Sequence, residues 1–134
     1  MPDASDRFKG NRPPGDDLLA QGVDLFNKGY FFEAHDVWEE VWTLDRTPAR
    51  KFYQGLIKVA GGFHHFQNGN YIGSAALLTA GLEHLAPYAA GHGGIDLAGL
   101  RREVATQLEK VLRLRNGESA REDVLFPQIA PAPQ

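Results

Sequence analysis

Between residues 16 and 117, apolar positions recur at intervals of three and four, the spacing that lines one face of an α-helix. Five such stretches stand between breaks of glycine, asparagine and proline. The first carries Leu18, Leu19, Val23 and Phe26 behind Asp16, a side chain suited to capping, and stops at Asn27-Lys28-Gly29. The second runs from about Tyr30 to Leu44. The third opens at Thr47-Pro48, as cap and first turn, and continues to about Gln67. It contains Gly55, Gly61 and Gly62, which in a helix point to close packing or to space reserved beside a side chain. Asn68-Gly69-Asn70 closes it and caps a fourth, Tyr71 to Leu85, ended by Pro87. A flexible loop, Gly91-His92-Gly93-Gly94, leads to the fifth, where Ile95 and Leu100 flank Asp96 as a hydrophobic staple around an N-cap. Asn116-Gly117 terminates it.

Very short connections make consecutive helices antiparallel neighbours. Phe26-Asn27-Lys28-Gly29-Tyr30 has an echo in Phe66-Gln67-Asn68-Gly69-Asn70-Tyr71, about 40 residues on. The expected fold is therefore all-α: a compact bundle of about five helices, two stacked antiparallel hairpins of tetratricopeptide-like character plus a fifth helix. Three regions follow. Residues 1–15, rich in charged residues, Pro and Gly, form a flexible arm. Residues 16–117 form the bundle, and 118–134 an extended tail with Pro127, Pro131 and Pro133, pinned by Phe126 and Ile129.

Composition narrows the function classes. A net charge of −3 with arginines scattered among acids argues against a nucleic-acid surface. No apolar run reaches the roughly 18 residues of a membrane span, and the N-terminus carries no apolar signal core. The chain has no cysteine, which removes thiol catalysis and thiolate metal sites and suits a cytoplasmic setting.

The chemistry concentrates in the second helix, at Phe31 to Trp42. His35, Glu39 and Trp42 fall at i, i+4 and i+7 and share one face. His35 and Glu39 can reach one ion, and imidazole with carboxylate suits zinc, iron, manganese or nickel. The third helix places Gln54, Lys58, Gly61 and His65 on one face, and antiparallel connectivity brings His35 toward His65. The expected metal ligands are His35, Glu39 and His65, with Phe32, Trp42, Gln54 and Glu40 around them. Glu33, Asp36 and Glu40 also read as the solvated flank of the helix. The alternative is a structural network in which His35 bonds Glu39 or His65 and the Trp42 indole donates. No His-Glu-x-x-His or Glu-x-x-His signature occurs. His92 reads as exposed, and His84 as a charge near a helix C-terminus.

The run Gly29 to Trp42, with Gln54-Gly55-Leu56-Ile57 and His65 to Asn70, resembles the bacterial and archaeal domain-of-unknown-function family numbered 309, marked by a His-x-x-x-Glu-x-x-Trp/Tyr motif that His35, Glu39 and Trp42 fill. The resemblance covers about residues 16–88. It implies a small helical bundle and metal binding at the motif, with His65 matching the family pattern better than His64. The expected function is a polar site of His35, Glu39, Trp42 and His65 binding a divalent metal or an unknown small ligand. If the protein is an enzyme, a metal-dependent hydrolase is the first expectation, with Glu39 or Glu40 as base. The alternative is a non-catalytic interaction or homo-oligomerisation module presenting Tyr30, Phe31 or Tyr71.

Overall fold

The computed structural model of the protein describes residues 14–133. The arm expected at 1–15 therefore lies almost wholly outside the described residues. Five α-helices follow in order: α1 (Pro14–Asn27), α2 (Phe31–Leu44), α3 (Arg50–Gln67), α4 (Tyr71–Leu85) and α5 (Leu97–Arg115). The fold is all-α, and each helix packs chiefly against its neighbour in the chain. Among the described residues no helix is long and apolar enough to cross a membrane.

The helix ends follow from local chemistry. Gly29 (φ +84°) and Gly69 (φ +79°) adopt the left-handed conformation that closes a helix. Both turns use the same pair of bonds. Gly29 N–H donates to Phe26 O and Tyr30 N–H to Leu25 O; Gly69 N–H donates to Phe66 O and Asn70 N–H to His65 O. The echo is thus a repeated turn, in register at an offset of 40. Asn70 and Asp96 cap α4 and α5 by accepting from Gly73 and Gly99 N–H. Two starts differ from expectation. α1 begins at Pro14, so Asp16 sits inside its first turn and not at the cap. α3 begins at Arg50, because Thr47, Pro48 and Ala49 form a tighter lead-in whose carbonyls accept from the amides three residues on.

Aromatic rings fill the centre. Trp38 and Phe31 are fully buried, and Phe31 packs on Phe26 at 4.9 Å and Phe63 at 5.4 Å between ring centroids. The α3 glycines divide by role. A Cβ on Gly55 or Gly62 would press into Leu85 or Leu78 of α4 at 2.7 Å, so these two permit close helix approach. Gly61 faces elsewhere, toward Leu77 and the His35 ring.

The tail opens with one 3₁₀ turn, Arg121–Asp123, and then runs extended back over the bundle. Arg121 donates to the Phe66 and Gln67 carbonyls and to the Tyr71 hydroxyl, which caps α3 from outside. Buried Gln107 accepts from Leu125 N–H at 2.8 Å. Phe126 packs on Phe31, Phe63 and Phe66. The Asn27 side chain both accepts from Ile129 N–H (2.7 Å) and donates to Ile129 O (2.9 Å). Asp96 N–H then donates to Ala130 O, and Ala132 N–H to Gly94 O.

Candidate functional site

α2 shows two faces. Phe31, Ala34, Trp38 and Val41 are its buried residues, at the three- and four-residue spacing a packed helix demands. His35 lies beside that stripe, half-buried, where helix spacing carries it toward α3. Its Nδ1 edge turns along α2 and lies 3.5 Å from Asp36 Oδ1 and 3.5 Å from Glu39 Oε2. Nδ1 is buried yet makes no hydrogen bond. The two contacts are ion-pair distances once the ring is protonated, but they lie outside good hydrogen-bond geometry. The donor atoms of His35, Asp36 and Glu39 all fall within 4.8 Å of one another. Both carboxylates are more than half open to water or close to it, at 58% and 50% exposure.

The opposite edge of the imidazole faces a cavity. His35 Cδ2 comes 3.9 Å from where a Cβ on Gly61 would stand. The pocket there has a volume of about 330 Å³. α2 contributes Phe32 and His35; α3 contributes Ile57, Lys58, Gly61, His64 and His65; Leu77 closes it from α4. Phe32, half exposed, stacks near-parallel to His35 (centroids 6.2 Å apart, 15° between planes) and meets His64 at 5.3 Å. The two α3 histidines are held by the turn that ends their helix. His64 Nε2 sits 3.3 Å from the Asn68 amide nitrogen, and His65 Nδ1 3.3 Å from that of Asn70. Lys58 has no carboxylate at ion-pair distance among the described residues.

Of the expected residues, Phe32, His35 and His65 line this pocket, with Lys58 and Gly61 from the same α3 face. Glu39 stands beside His35 on the other edge of the ring. Glu40 is exposed, and Gln54 is half-buried outside the lining. Trp42 lies under the Arg50 guanidinium, 4.1 Å from ring centroid to Cζ. The indole that donates inward is that of Trp38, to Leu19 O at 3.3 Å. Asp36, read as solvated flank, has its carboxylate against His35. The only sequence signal for this was adjacency, i to i+1, which does not by itself put two side chains together. His92 is not simply exposed: it is half-buried, edge-on to Phe52 (4.6 Å) and packed on Tyr88 (4.7 Å), in a 3₁₀ turn where Gly93 and Gly94 have positive φ. Phe31 is fully buried and Tyr71 packs on Phe66 beneath Arg121, so of the three aromatics expected at an interaction surface only Tyr30 is exposed.

A family model described as Domain of unknown function (DUF309) matches residues 19–77, a span that holds every residue of the α2 cluster and of the pocket. An uncharacterized protein of Aquifex aeolicus (strain VF5) is 34% identical over 97 residues, 72% of this chain and 28% of that protein. The chain thus spans under a third of the length of that relative.

Proposed function

Through residues 19–77 the chain belongs to the DUF309 family, a description that assigns no activity, and from the geometry of its own side chains we propose that it holds one divalent metal ion on His35, Asp36 and Glu39. The supporting observation is His35 Nδ1, buried and without a hydrogen bond between two carboxylates. A buried ring nitrogen left unsatisfied costs free energy that a bound cation recovers. The spacing fits as well. Bonds of about 2.0–2.2 Å to nitrogen and oxygen place tetrahedral donors about 3.4 Å apart, and two of the three separations are 3.5 Å. One imidazole and two carboxylates suit zinc, iron, manganese or nickel. Three protein ligands leave a position open for water or a ligand, and a metal-activated water is the chemistry a hydrolase would draw from such a site. His65, expected as a ligand, has its Nδ1 beside Asn70 and serves as pocket wall. A cytoplasmic setting and the lack of a nucleic-acid partner belong to this reading, on the absence of cysteine and the net charge of −3.

The test is elemental analysis of protein loaded with zinc, manganese or nickel and freed of excess ion by gel filtration. The expected result is about one equivalent of one of these metals, lost in His35→Ala and reduced in Asp36→Asn and Glu39→Gln. Equal retention in His35→Ala and the parent, or none in either, overturns the proposal. A second reading, self-association, draws on Tyr30 (55% exposed) and Ile72 (68% exposed), which stand at the starts of the two echoing helices. Light scattering over a concentration series checks it, a monomer throughout being the result against it.

A further inference from the structure

We propose that the cavity beside His35 takes a small organic anion with a flat apolar body, an aromatic acid in the simplest case, and that Lys58 supplies its counter-charge. The inference goes beyond the metal reading, since it concerns the Cδ2 edge of His35 and not Nδ1, and it stands or falls separately.

Charge argues first. Lys58 is half-buried at the cavity wall and has no carboxylate partner among the described residues. No lining residue is acidic, whereas Lys58 and three histidines are all lining. The carboxylates of Asp36 and Glu39 lie on the Nδ1 edge of His35, away from the edge that meets Gly61. An ammonium at a wall without a carboxylate of its own gains a charge-assisted hydrogen bond from a carboxylate or phosphate oxygen.

Shape argues second. About 330 Å³ is near the lower end of ligand pockets, which run from roughly 300 to 1,000 Å³. That size suits a small molecule. Phe32, Ile57 and Leu77 make the remaining wall apolar. Phe32 is 50% exposed although it stacks on His35 and touches His64. Its half-exposed ring is a surface on which a planar ligand buries apolar area. Gly61 leaves room in the wall, where a Cβ would stand 3.3 Å from Leu77 Cδ1 and 3.9 Å from His35 Cδ2.

The test uses benzoate, phenyl phosphate and benzyl alcohol as probes of the full chain, followed by amide and imidazole chemical shifts. Each titration is run with chelator present and again after zinc loading. Benzoate or phenyl phosphate should shift the Gly61 amide and the His35 and His64 rings saturably, and comparing the two shows whether carboxylate or phosphate is preferred. Lys58→Gln should weaken that binding at least tenfold with an unchanged melting temperature, and Lys58→Arg should restore most of it. Benzyl alcohol binding as well as benzoate, Lys58→Gln binding as tightly as the parent, or no saturable shift with either anion overturns the inference. Anion binding in chelator without zinc uptake leaves the anion site standing and removes the metal reading; zinc uptake without anion binding does the reverse.

Discussion

Gly22 and Trp38 fit together because one of them has no side chain. A Cβ on Gly22 would collide with the indole, whose Nε1 donates to Leu19 O one turn earlier in α1. Gly22→Ala gains about 1 kcal/mol of helix propensity, but overpacking a core costs about 1–3 kcal/mol or more. The indole is fully buried and packs on Phe26 at 6.0 Å between ring centroids. With three ring atoms in the way the clash belongs at the upper end of that range, about 2–3 kcal/mol, so the variant should lose about 1–2 kcal/mol net in urea denaturation, and a variant as stable as the parent would show that the ring relocates. Residues are also where the sequence was least legible. Period and polarity identify His35 and bring it to α3, since both depend on helix geometry alone. They do not tell Trp38 from Trp42, four residues apart on neighbouring lines of one helix. That choice is made by Gly22, a gap in another helix. Nor do they show Asp36 turning back to His35, because rotamer and not register decides it.

At the scale of elements, the five helices were readable almost to their ends, because a glycine turn or a side-chain cap marks most of them. Besides the start of α1, the exception is the junction of α2 and α3. There the Asp45 carboxylate accepts from both the Thr47 N–H (2.7 Å) and hydroxyl (2.6 Å), so Thr47 is spent on the turn and α3 proper starts three residues later. The Thr47 side chain and backbone hold the Asp45 carboxyl below its ordinary 3.8. A carboxyl so depressed contributes stability in full above its unfolded value, and loses it as pH falls through the folded one. Asp45→Ala should therefore melt below the parent near neutral pH. The gap should narrow as pH is taken from about 4 to about 2; a gap constant across that range would refute the assignment. The spacing of Gly55 and Gly62 announces a close partner, but not that the partner is α4, nor that Gly81 answers them by leaving room for Val59.

For the molecule as a whole, two hairpins and a fifth helix were legible from connection lengths and the 40-residue echo. The path of the tail was not, since its anchors are side chains far away in sequence: Asn27, Phe66 and Gln107. Helices stacked in series are prone to fray from either end, because each is stabilised mainly by its neighbour. The returning tail ties the last helix to the first, with Asn27 bonding both backbone groups of Ile129. Asn27→Ala should cost about 1–3 kcal/mol, the range for orphaned partners. It should also separate the hydrogen-exchange rates of α1 from those of α3, which the parent should show opening together. Exchange that stays uniform in the variant would mean the clasp is ornamental. If it is not, an open-ended stack becomes a closed loop of contacts, and the site on α2 sits in a unit that opens all at once or not at all.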